Sequence, residues 1–82
     1  MQRVPQVLEN ATFVRRMPLE SMPTMRLVVD RVEKTLGGSG RVLVRWSGTE
    51  PKLRVMVEGE DAAAIARYAK EIVEAATRDV VT

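Results

Sequence analysis

Arg41-Val42-Leu43-Val44-Arg45-Trp46-Ser47-Gly48-Thr49-Glu50-Pro51-Lys52-Leu53-Arg54-Val55-Met56-Val57-Glu58 decides the fold of this chain. Successive side chains of a strand point to opposite faces, so period two sorts each run into two sets. In the first run Val42, Val44 and Trp46 share one face, and Arg41, Leu43 and Arg45 share the other. In the second run Leu53, Val55 and Val57 are set against Lys52, Arg54, Met56 and Glu58. Between the runs, Ser47-Gly48-Thr49-Glu50-Pro51 is composed of turn formers. Two strands of similar length joined by so short a loop predict an antiparallel hairpin.

Outward from the hairpin the period changes to that of a helix. Gly59 stops the second strand, and Glu60 and Asp61 place negative charge where a helix macrodipole favours it. Ile65, Tyr68, Ala69, Ile72 and Ala76 then form an apolar stripe, with Val73 at its edge. The last residues, 79–82, are expected to fray. On the other side, Gly37-Gly38-Ser39-Gly40 ends an earlier helix whose inner face is Met25, Val28, Val29, Val32 and Leu36. Pro23 suits the first turn of that helix, and Ser21 is read as its N-cap. Residues 15–22, with Pro18 and mixed polarity, read as a loop. Residues 5–14 read as a first strand, with Val7, Glu9, Ala11 and Phe13 opposite Leu8, Asn10, Thr12 and Val14. The order β-α-β-β-α predicts an α+β two-layer sandwich, a small antiparallel sheet with two helices on one face. Of the five methionines, Met25 is assigned to the core and the others to loops or surface.

Composition bounds what the chain can do. Its 82 residues suit a single domain, 1–82, with no room for a second core. There is no cysteine and no histidine, so disulfides, thiolate metal sites and imidazole chemistry are excluded. Thirteen basic against eleven acidic residues leave a net charge of +2, too mild for a general nucleic-acid binder. No apolar run approaches the roughly 18–20 residues of a membrane span, and no secretory signal is visible. A soluble, cytoplasmic placement without a membrane partner is the expectation.

The chemistry concentrates at the hairpin loop. A phosphate dianion needs converging backbone N–H groups, short hydroxyls and guanidinium forks. Gly48 allows close backbone approach, Ser47 and Thr49 carry hydroxyls, and Arg45 and Arg54 flank the loop on the strand face away from the core. Pattern alone leaves two readings open: an anion site, or an ordinary turn beside a solvated arginine face.

The segment 40–59, above all Arg45-Trp46-Ser47-Gly48-Thr49-Glu50-Pro51 and Arg54-Val55-Met56-Val57-Glu58-Gly59, resembles the C-terminal signature of the phosphoglucosamine mutases. These belong to the α-D-phosphohexomutase superfamily. Pro5-Gln6-Val7-Leu8, followed by Asn10, is similar to the first strand of the same domain, so the likeness spans the chain. The resemblance implies the last domain of a four-domain enzyme, with a TATA-box-binding-protein-like fold. It implies a chain excised from that longer enzyme and inactive alone. By position, Arg45, Ser47, Gly48, Thr49 and Arg54 would contact the phosphate of a glucosamine phosphate, while Glu50 and Pro51 shape the loop. Trp46 stands at a variable position of the signature and, pointing toward the core, is expected to leave the site unchanged. The phosphoserine, the Mg²⁺-binding aspartates and the sugar-hydroxyl loop of such enzymes would lie in other domains. No catalytic residue, metal ligand or cofactor is therefore expected here. Glu58, Glu60 and Asp61 read as turn and helix-start charges.

Three alternatives compete. The same domain of a phosphomannomutase or phosphoglucomutase is the nearest, because sugar preference would be decided in absent domains. A nucleic-acid-binding module is disfavoured, since Trp46 and Tyr68 fall on core-facing positions and leave no stacking platform. A non-catalytic interaction domain with a vestigial loop is the third.

Overall fold

Strands form where the alternation places them: β1 (Gln6–Thr12), β2 (Arg41–Trp46) and β3 (Lys52–Glu58) in a computed structural model describing residues 5–48 and 51–81. Helices α1 (Pro23–Leu36) and α2 (Ala62–Val81) complete the expected β-α-β-β-α order. β2 and β3 pair as the antiparallel hairpin, and β1 adds antiparallel to the far side of β3, giving the order β1-β3-β2. β3 is thus central, and its Leu53, Val55 and Val57 are fully buried.

The two helices lie side by side, α1 over β2 and α2 over β1 and β3. Met25 and Val32 of α1, and Ile65, Ala69, Ile72 and Ala76 of α2, close the core against the sheet. The opposite sheet face is open, with Leu8 and Leu43 largely exposed. Gly40 enters β2 so close to β3 that a Cβ would stand 2.1 Å from the Glu58 carbonyl oxygen. No rotamer change can relieve a clash with main chain, so this close approach demands glycine.

Three expectations need correction. Fraying is expected over residues 79–82, but Asp79 and Val80 are buried and α2 continues to Val81, while Thr82 lies outside the described residues. Ser21 does not cap α1. It closes a single 3-10 turn, Leu19–Ser21, and the N-cap is Met22, whose side chain gives no hydrogen bond. The cap comes instead from the other helix: the Thr24 and Met25 amides donate to Asp79 Oδ1 and Oδ2 at 3.2 and 2.8 Å. Met22 is fully buried, so Met25 is not the sole core methionine. At α2 the acidic start is local: Asp61 Oδ1 accepts from the Ala64 amide at 3.1 Å.

Residues 13–22 act as a strap that ties the ends of the fold together. The Phe13 amide donates to the Pro51 carbonyl at 2.8 Å. Arg15 Nη2 reaches the Val80 carbonyl at 3.4 Å, supplying a donor to the open end of α2.

Candidate functional site

The hairpin register fixes the site. Arg45 in β2 and Arg54 in β3 are direct cross-strand partners, both exposed on the open face of the sheet. Like charges in this position destabilise a strand pair. The same ladder shows the ordinary solution at its far end, where Arg41 faces Glu58 and pairs with it at 3.3 Å. At the loop end, no carboxylate among the described residues pairs with either arginine. Two guanidiniums thus stand side by side at the loop end of the ladder.

The loop between them begins tightly. The Ser47 amide donates to the Lys52 carbonyl at 2.8 Å, continuing the ladder one step beyond the strands. Arg45, Trp46, Ser47, Gly48 and Arg54 line an open pocket of about 260 Å³. Four of the residues expected to contact the anion, Arg45, Ser47, Gly48 and Arg54, are thereby brought together. Pro51 is half-buried, and its carbonyl anchors the strap through Phe13. Thr49 and Glu50 lie outside the described residues.

Trp46 departs from expectation. It faces the core side with Val42 and Val44, yet it also lines the loop pocket. Its indole N–H donates to the Met17 carbonyl at 2.7 Å, and its ring meets Phe13 edge-on at 5.7 Å between centroids. A residue assigned no influence on the site therefore holds the strap against the loop. Trp46→Phe keeps the ring packing but orphans the Met17 carbonyl, so a loss of about 1 kcal/mol is expected. Urea unfolding followed by circular dichroism measures it, and an unchanged midpoint would contradict the assignment.

Sequence reasoning also missed Arg16. Its Nη1 donates to the Ser47 carbonyl at 3.1 Å and lies 3.5 Å from the Gly48 carbonyl. A solvated arginine in a loop carries no local mark of such a contact, which closes across 31 residues.

The described residues do not fit a metal: no three acidic groups converge on one point. No helix among them is long and apolar enough to cross a membrane.

The profile of the family "Phosphoglucomutase/phosphomannomutase, C-terminal domain" matches residues 2–75. Phosphoglucosamine mutase of Sorangium cellulosum (strain So ce56) is 74% identical over 80 residues, covering 98% of this chain and 17% of that protein. Phosphoglucosamine mutase of Myxococcus xanthus (strain DK1622) is 52% identical over 75 residues, 92% of this chain and 16% of the relative. That of Cellvibrio japonicus (strain Ueda107) is 49% identical over 79 residues, 93% and 18% respectively. The chain spans between 16% and 18% of the length of these three relatives.

Proposed function

The chain belongs to the phosphoglucomutase/phosphomannomutase C-terminal domain family, and from that premise we propose that its β2–β3 loop is the phosphate clamp of a phosphoglucosamine mutase. The observation that carries this reading is the cross-strand Arg45–Arg54 pair at the mouth of the loop pocket, which no carboxylate among the described residues neutralises. A phosphate dianion offers each guanidinium two oxygens at once, which a single carboxylate shared between them would not. Ser47 and Thr49 add hydroxyl donors, and Gly48 lets the main chain come close.

The whole enzyme would interconvert glucosamine 6-phosphate and glucosamine 1-phosphate through a bisphosphorylated intermediate. Between its two transfers the sugar must reverse, so one clamp has to accept the phosphate at either end. Arg45 and Arg54 suit that task because they recognise a dianion and nothing of the ring that carries it. They hold the phosphate that is not reacting, and closure of the domain over the sugar helps to exclude water. Transfer itself is the work of other domains, and this chain alone is inactive. The Mg²⁺ of the full enzyme would supply electrostatic stabilisation at the transferring phosphoryl group and would be held outside this domain. Its partners are the sugar phosphate and the remaining domains of the same enzyme. The glucosamine branch is preferred over the phosphomannomutases because the three relatives named above carry that name.

Titrating the chain with glucosamine 6-phosphate, with uncharged glucosamine as control, tests the clamp by amide NMR. Saturable shifts at Ser47 and Gly48 are expected with the phosphate alone, at affinities near millimolar, about −4 kcal/mol. Trp46 is the only tryptophan and lines the pocket, so its fluorescence should change over the same range. Equal responses to both compounds, or none, would remove the reading.

A further inference from the structure

We propose that Arg16, on the strap between β1 and α1, is a positioning residue of the anion site, which it serves by holding the main chain of the loop and without touching the anion. The proposal rests on the reading of the loop as a phosphate clamp. Its evidence is the pair of contacts from Arg16 Nη1 to the Ser47 carbonyl at 3.1 Å and the Gly48 carbonyl at 3.5 Å.

The chemistry follows from the planarity of the peptide unit. None of the described peptide bonds is cis, and in a trans peptide the carbonyl and the following N–H point in opposite directions. Arg16 grips the Ser47–Gly48 peptide by its oxygen, so the Gly48 N–H is turned away from the guanidinium. Gly48 has no Cβ and a wide choice of dihedrals, so without such a grip this peptide has little to stop it from rotating. A rotation would exchange a donor for an acceptor and present a carbonyl oxygen to an incoming dianion. The guanidinium also draws charge from the carbonyl, which makes the N–H of the same peptide a better donor.

Nearby contacts make the strap rigid enough for this role. The Trp46 indole holds the Met17 carbonyl at 2.7 Å, one residue after Arg16, and the Phe13 amide holds the Pro51 carbonyl at 2.8 Å. Arg16 therefore projects from a segment fixed on both sides to the two ends of the loop it grips. Arg15, its neighbour, points to the Val80 carbonyl at the other end of the fold. The strap thus divides its two cations between a helix end and the anion loop.

The test uses the full-length enzyme. Arg16→Ala should raise KM for glucosamine 6-phosphate roughly tenfold, the worth of one charge-assisted hydrogen bond. The inhibition constant for inorganic phosphate should rise with it, while kcat stays within about twofold and the melting temperature is unchanged. Arg16→Lys can still donate to the Ser47 carbonyl and should recover most of the affinity. A purely structural role would lower the active fraction, reducing kcat at constant KM, and would overturn the proposal. So would Arg16→Ala with unchanged constants beside an Arg54→Ala variant whose KM rises. If Arg54→Ala also leaves KM and the phosphate inhibition constant unchanged, the clamp reading falls, and this inference falls with it.

Discussion

Asp79→Ala is expected to lower the unfolding free energy of this chain by about 2–4 kcal/mol, from the loss of two hydrogen bonds to an ionised acceptor. The Thr24 and Met25 amides of the first turn of α1 have no intrahelical acceptor and depend on the Asp79 carboxylate at 3.2 and 2.8 Å. With Asp79 only 8% exposed, water has poor access to replace it. Removing the carboxylate therefore leaves one buried donor, the Met25 amide, and one part-buried donor, the Thr24 amide, without it, the costly side of the hydrogen-bond balance. Position argues the same way. Asp79 lies in the last turn of α2, where the macrodipole disfavours an anion, and at the first turn of α1, where it is favoured. A carboxylate kept in an unfavourable local place points to its distant partner. Asp79→Asn retains one acceptor oxygen but sets its NH₂ against an amide donor, so an intermediate loss is expected. For a chain of this size the total stability is about 4–12 kcal/mol, so Asp79→Ala removes a large share. Urea denaturation read by circular dichroism decides the matter. A loss below about 0.5 kcal/mol, the level of an ordinary surface substitution, would refute the cap.

The second large effect is functional. Arg45→Ala combined with Arg54→Ala should reduce kcat/KM of the full-length enzyme for glucosamine 6-phosphate by about 10²–10³-fold. If the pair clamps the phosphate as proposed, each guanidinium would contribute a charged hydrogen bond of about 1.5–3 kcal/mol, and the combined loss would fall short of the sum because adjacent residues couple. Stability should move in the opposite direction. Arg45 and Arg54 face each other across the β2–β3 ladder, so removing one relieves a repulsion of about 0.2–1 kcal/mol. A gain in melting temperature alongside a loss of activity is the signature of a site maintained against the preference of the fold. The Arg41–Glu58 pair offers the control, since it already holds opposite charges at the same ladder's far end. Arg41→Ala should leave kcat/KM within about twofold and slightly lower stability, as exposed pairs are worth about 0–1 kcal/mol. Full activity in the Arg45/Arg54 double variant would exclude the clamp.

The arginine pair was legible because it follows from the same periodicity that makes the strands. If Val42, Val44 and Trp46 face inward, Arg45 must face outward, and the same holds for Arg54 beside Leu53 and Val55. A short loop then forces the two arms into antiparallel register, which brings both arginines to one face. Arg16 and Asp79 were illegible for a common reason. Each acts on main-chain groups 31 to 55 residues away, and main-chain partners leave no side-chain pattern to match. Ser21 misled because it has the chemistry of an N-cap at nearly the right place. The Leu19–Ser21 turn and the buried Met22 move the start of the helix past it.

The sequence by itself determined the two periods, and with them the element order, the inner and outer faces of each strand and helix, and the shared face of Arg45 and Arg54. These are local properties, set by side-chain direction over two to four residues. Only the tertiary structure decided that β1 joins β3 and so makes it the central strand, that Asp79 caps a helix other than its own, and that the strap brings Arg16 and Met17 to the loop. Those choices depend on which unpaired main-chain donors and acceptors are buried next to one another once the apolar faces close, and burial is a property of the assembled fold.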